Sequence, residues 1–146
     1  MARLTVNEAG TSGYTDELVL TPADFTTAAG NTTTVVTFPV KAGDLIDACA
    51  LVVTEAFSTS SNITIGPDGT ARSAGADPDG FIEADNANAT GTSVNTGDLL
   101  DDGGEAQNNV FKADADGDIT ITAASALDGD SQGKMRVLFS VKRTNF

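Results

Sequence analysis

Asp114, Asp116 and Asp118 stand at alternate positions, a spacing at which hard carboxylate oxygens can surround one calcium ion. They are the candidate metal ligands of the chain. The continuation departs from an EF-hand calcium loop, which requires Gly at its sixth position and a bidentate Glu at its twelfth. Ile119 and Ser125 stand there instead. The competing reading is an acidic hairpin turn built on Gly117, because Asp and Gly serve tight turns on their own account. Asp77 and Asp79 are open to the same turn reading.

Other chemistries are narrowed by residue types. The chain has no histidine, which removes Ser-His-Asp triads, Cys-His pairs and histidine-ligated zinc together. Carboxylate pairs can hydrolyse glycosides, but that chemistry needs a cleft and usually aromatic residues against the sugar; the chain has no tryptophan and a single tyrosine, Tyr14. Cys49 is the only cysteine and lies in an apolar run, where a thiol behaves as a small buried hydrophobe. Asp102-Gly103-Gly104 lacks the lysine and following helix of a phosphate loop. Asn31, Asn62 and Asn88 head glycosylation-type triplets, matches expected by chance in so threonine-rich a chain. The expectation is a protein that is not an enzyme and carries no cofactor.

The formal net charge is -13, which opposes binding to nucleic acid and to anionic membranes. The longest apolar run, Ala48 to Val53, falls far short of the roughly 20 residues of a membrane helix. Met1-Ala2-Arg3-Leu4 leads into polar residues without a hydrophobic signal region, so synthesis in the cytoplasm without a signal peptide is expected. Charge is unevenly spread. Lys134, Arg136, Lys142 and Arg143 are half of the eight basic residues, and no acid follows Asp130. This stripe either balances carboxylates on neighbouring strands or meets an acidic surface on another subunit. Arg136, Lys142 and Arg143 are therefore candidate partner-binding residues.

These residues must be positioned by strands. From Leu45 to Phe57 apolar side chains occupy both faces of an extended chain. Leu45, Cys49, Leu51, Val53 and Phe57 alternate with Ile46, Ala48, Ala50, Val52 and Ala56, as suits a central strand covered on both sides. Val36, Phe38 and Val40 share one face of a second strand, whose Pro39 points to a sheet edge or bulge. Further strands are expected at Leu18–Leu20, Ile63–Gly66, from Phe81, at Val110–Lys112 and from Ile119 to Ala123. The clearest alternation runs from Lys134 to Arg143, with Met135, Val137, Phe139 and Val141 inside. Residues 86–109 read as a long loop or a meander of short pieces. Seven to nine short strands, with turn signals between them and no helix, predict an all-β antiparallel β-sandwich, jelly-roll-like, over residues 17–146. Residues 1–16 read as an extended N-terminal arm, either frayed or adding a strand to a partner. Leu4, Val6 and Tyr14 are its candidate partner-binding residues.

The order of pieces from Val40 to about Gly91 resembles small virion structural proteins of tailed bacteriophages, most of all capsid decoration, or cement, proteins. It comprises the long apolar strand ending in Thr54-Glu55-Ala56-Phe57, then Asn62-Ile63-Thr64-Ile65-Gly66, then Asp77-Pro78-Asp79-Gly80-Phe81-Ile82 and the polar Ala84-Asp85-Asn86. The resemblance implies a homotrimer on the outer surface of the head. Its partner there would be the major capsid protein, and it would stabilise the capsid by bridging the subunits of the virion shell. Two other assignments are compatible with the residues: a tail or head-fibre structural component, and a carbohydrate-binding β-sandwich module. Low aromatic content disfavours the second.

Overall fold

The computed structural model describes residues 13–25, 33–100 and 110–143, together with the backbone of residues 2–5. The strands are β1 (Ala2–Thr5), β2 (Asp16–Leu20), β3 (Thr34–Val40), β4 (Leu45–Glu55), β5 (Asn62–Pro67), β6 (Ile82–Asn86), β7 (Gly91–Val94), β8 (Phe111–Lys112), β9 (Gly117–Ala123) and β10 (Lys134–Lys142). The described residues contain no α-helix. One turn of 3-10 helix at Pro22–Asp24 is tied at its start by the Thr21 N–H, which donates to Asp24 Oδ2 at 2.9 Å.

All pairings are antiparallel and build two sheets. The larger runs β1-β2-β10-β4-β7, with β8 also on β4; the smaller runs β3-β9-β5-β6. β7 lies opposite Ala50–Val53 and β8 opposite Leu45 and Ile46, so the two share one strand's length along the same partner. Strand alternation turns Val36, Phe38 and Val40 of β3, and Ile119, Ile121 and Ala123 of β9, toward a common core with Met135, Val137, Phe139 and Val141 of β10. Phe38 stacks on Phe139 with ring centroids 4.4 Å apart, joining the two sheets. Phe81 meets Phe111 edge-on at 5.4 Å. Each fully buried aromatic or aliphatic side chain contributes roughly 1.5–3 kcal/mol.

The loops gather at two ends. At one, the Gly43 N–H donates to the Ala113 carbonyl at 2.8 Å and the Asp114 N–H to that of Ala71 at 2.8 Å, joining the β3–β4, β8–β9 and β5–β6 connections. At the other, the Phe57 N–H donates to the Ala87 carbonyl at 2.8 Å, and the Ser125 N–H to Ser61 Oγ at 3.0 Å.

Two details depart from the sequence reading. Along β4 the core-facing residues are Ile46, Cys49, Leu51 and Val53, with Leu45 only half-buried, so Leu45 and Ile46 exchange their expected faces. The cause is a bulge. Ser140 pairs with Ala48 but Val141 pairs with Ile46, which leaves Asp47 as the extra residue and breaks the period of two. At the N-terminus, residues expected to form an arm include β1, which lies antiparallel on β2 of the same chain with Leu4 opposite Glu17. Asp16, placed at the end of that arm, opens β2. Val6 lies outside the described residues.

Candidate functional surface

β10 lies between β2 and β4, and that position decides what its cations meet. Arg136 grips Glu17 of β2 with two nitrogens: Nε donates to Oε1, and Nη2 to Oε2 at 3.1 Å. The Glu17 side chain is only 2 % exposed. Arg143 Nη2 meets Asp16 Oδ2 at 2.6 Å, and Lys142 Nζ meets Asp47 Oδ2, on the β4 bulge, at 3.0 Å. Hydrogen bonding to Glu17 pushes the Arg136 pKa up further, and hydrogen bonding to Asp16 does the same for Arg143. Burial pushes the Asp47 carboxyl up, but hydrogen bonding from Ser140 and Lys142, with the Lys142 charge, outweighs it and holds the group below the usual range. Three candidate partner-binding cations, Arg136, Lys142 and Arg143, are thus paired within the chain to carboxylates of the flanking strands.

The outer face of this sheet is apolar at its centre. Leu138 of β10 and Ala50 of β4 pair with each other in register. They are 3 % and 2 % exposed yet lie outside the core cluster between the sheets. Val19 and Val52 flank them, each opposite Arg136. The expectation that β4 is apolar on both faces therefore corresponds to one face in the core and a second facing away from it. Tyr14, half-buried, sits beside Thr15, whose N–H donates to the Phe139 carbonyl at 2.8 Å. Burial, then the neighbouring Cys49, pushes its phenol pKa up. Cys49 is fully buried and its thiol is raised far above the ordinary value by burial alone, consistent with inert packing.

The three calcium candidates part company. Asp114 Oδ2 accepts the Ser73 N–H and hydroxyl, both at 2.9 Å. Asp116 Oδ1 accepts the Ala42 N–H at 2.9 Å while Oδ2 faces Lys41 Nζ at 3.4 Å. Asp118 uses its backbone, its carbonyl accepting from the Asp68 N–H at 2.9 Å. Asp114 is held below the usual carboxylate range by the Ser73 N–H and hydroxyl, and Asp116 by the Ala42 N–H and then Lys41. These side chains fasten three loops together. Among the described residues no group of three or more acidic, histidine or cysteine side chains is arranged to hold a metal ion.

A different acidic group does form. Asp77, Asp79, Glu83 and Asp98 line a cavity of about 30 Å³ together with Gly80. The Asp77 pKa is raised by burial, then by its hydrogen bond with Asp79, against the opposing pull of Arg72. The backbone closes tightly here, since a Cβ on Gly66 would lie 1.8 Å from the Asp77 carbonyl oxygen. Sequence reasoning singled out Asp77 and Asp79 as turn residues. Glu83 from β6 and Asp98 from the segment after β7 carried no local signal of convergence. Comparison with protein-family models, with curated proteins and with solved structures finds no match in any of the three.

Proposed function

We propose that this chain is a non-enzymatic capsid decoration, or cement, protein of a tailed bacteriophage. In this reading it sits on the outer surface of the head as a homotrimer and bridges subunits of the major capsid protein. The strand order carries the reading. Counting β7 and β8 as one interrupted strand, β2-β10-β4-β7 faces β3-β9-β5-β6. This order supports the jelly-roll reading, two interlocked Greek keys in two sheets, an architecture used by viral capsid domains. The order of pieces between Val40 and Gly91 favours decoration over a lectin-like role. β1 stands outside the eight-strand path as a four-residue edge strand, and we assign inter-subunit bridging to the stretch before β2, Ala2 to Thr15.

The mechanism is mechanical. A shell under internal pressure fails where its subunits part, and a body attached to several of them adds contacts that must break first. Linked attachment raises the effective concentration of each further contact, giving avidity of about 100-fold or more from weak feet. A stiff body suits this role, and the Arg136–Glu17 and Arg143–Asp16 pairs clamp β10 to β2. The test compares particles with and without the protein during heating and dilution into low salt. Earlier loss of packaged DNA from the depleted particles is expected, and equal resistance would overturn the proposal.

A further inference from the structure

Of the four prolines in the chain only Pro78 follows an aspartate, Asp77. That makes the peptide bond between them chemically distinct. An aspartate carboxylate can reach the carbonyl carbon of its own residue through a five-membered ring, and a nucleophile held so close acts at a high effective concentration. The nitrogen to be displaced belongs to a tertiary amide and leaves as a secondary amine once it takes up a proton.

The fold adds three things to that chemistry. The first is a fixed and polarised carbonyl: the Gly80 N–H donates to the Asp77 carbonyl oxygen at 3.0 Å, while the Asp77 N–H donates to the Pro67 carbonyl at 2.9 Å. Gly66 lies so close against the Asp77 carbonyl that no Cβ fits there. The Asp77 side chain turns back toward this turn, since a Cβ on Gly80 would meet Asp77 Oδ2 at 2.9 Å. Carboxyl and carbonyl of Asp77 therefore converge on the same glycine. The second is a proton. The Asp77 carboxyl is hydrogen-bonded to that of Asp79, and two carboxyls joined in this way hold one proton between them over part of the pH range. Among the other charged groups around Asp77, Asp98 disfavours full ionisation, Arg72 favours it, and Glu83 lines the same cavity. The third is room for water. The cavity of about 30 Å³ formed by Asp77, Asp79, Gly80, Glu83 and Asp98 accommodates one molecule with several polar partners. Pro78 itself is exposed, so its amine can leave the turn.

We propose that Asp77 cleaves its own peptide bond to Pro78, with Asp79 supplying the proton to the departing nitrogen. Asp77 Oδ attacks the Asp77 carbonyl carbon and forms the C–O bond of a cyclic anhydride. The C–N bond breaks, its electron pair stays on the Pro78 nitrogen, and that nitrogen takes the proton from Asp79. One water then adds to the anhydride, restoring the side-chain carboxyl and leaving a new α-carboxyl on Asp77. Nothing is oxidised or reduced, and one water is consumed. This is a single event on the chain's own backbone rather than turnover of a substrate, so it stands or falls independently of the decoration role. Mild acid is the trigger, because the step needs one proton in the pair and stops when both carboxyls are ionised. The cut falls in the connection between β5 and β6, and the two pieces stay joined through β5–β9 and β4–β10 pairing.

The full chain is held at a series of pH values from about 3 to 7, then denatured and weighed by intact mass spectrometry. The expected products are residues 1–77 and 78–146, at a rate that rises and then falls across the series as the pair passes through its singly protonated form. The folded chain should cut at least about tenfold faster than the same chain unfolded in urea at equal pH, which measures the ordinary acid lability of such a bond. Asp77→Asn removes the nucleophile and should slow the cut by about 100-fold or more. Asp79→Asn keeps a hydrogen-bonding group without the proton and should slow it by about tenfold or more. Melting curves at each pH confine the comparison to folded chains, and Asp79→Asn, at an exposed position, keeps the test valid if Asp77→Asn does not fold. The proposal is overturned if no cut appears between residues 77 and 78, if the unfolded chain is cut as fast as the folded one, or if Asp79→Asn is cut at the wild-type rate.

Discussion

Replacing Arg136 by Met removes the counter-charge of a Glu17 carboxylate whose side chain is 2 % exposed. Taking one partner from a fully buried ion pair costs about 3–5 kcal/mol, because the remaining charge is stranded away from water. Arg136 is itself 28 % exposed, so solvent screens part of the interaction. An expected loss of about 2–3 kcal/mol follows, between the fully buried case and the roughly 0–1 kcal/mol of surface pairs. For a domain of this size that is about 4–12 °C in melting temperature. Lys41→Met provides the internal control, since the Lys41–Asp116 side chains are 68 % and 63 % exposed. Its cost should stay below about 1 kcal/mol. Urea denaturation of wild type, both single variants and the Glu17→Gln/Arg136→Met double variant completes the assay. The double variant should recover more than about 1 kcal/mol of the Arg136→Met loss, because the stranded charge goes with its partner. Equal costs for Arg136→Met and Lys41→Met would refute the claim that β10 is clamped by a desolvated pair.

Further outcomes follow from the same geometry. Gly133→Ala should destabilise strongly, by about 2 kcal/mol or more, since Gly133 has φ +137° and an added Cβ would lie 2.4 Å from the Phe57 ring; Gly129→Ala, with open space around it, should be close to neutral. Burial pushes the Asp130 carboxyl up, but hydrogen bonds from Thr59 and Ser58 outweigh it and hold the group below the usual range. The folded chain then binds fewer protons there than the unfolded chain. Its contribution is present above the ordinary carboxylate pKa of about 3.9 and fades as pH falls through the folded value. Asp130→Ala should cost about 1 kcal/mol near neutral pH and flatten the acid limb of a stability–pH curve; an unchanged slope would contradict the assignment. Calcium and chelator should leave the melting temperature alike, because Asp114 and Asp116 are engaged by Ser73, Ala42 and Lys41. A calcium-dependent rise would instead return them to the role of ligands.

The fold was legible where alternation is regular. Val36, Phe38 and Val40, and Met135 through Val141, occupy the faces their spacing predicts because an unbroken strand has a fixed period of two. Legibility failed at Asp47, where a bulge set by pairing with β10 shifts the period, and no local residue announces it. β7 was hidden in a segment of Gly, Thr and Ser whose strand character comes from pairing with Val52 and its neighbours rather than from its own side chains. The clustering of Lys134, Arg136, Lys142 and Arg143 was visible as a stripe. The pairing of Arg136, Lys142 and Arg143 depended on which strands flank β10, a long-range fact such as the one joining residue 17 to residue 136. The acidic cavity was illegible for the same reason, since Glu83 and Asp98 reach Asp77 only through the fold.

The assignment to the head surface is tested most directly by imaging purified phage particles at subnanometre resolution while counting this chain against the major capsid protein by quantitative mass spectrometry. The account predicts two-layered density standing on the outside of the head, at an abundance approaching that of the shell subunit. Density confined to the tail or fibres, a handful of copies per particle, or no copy at all would contradict it.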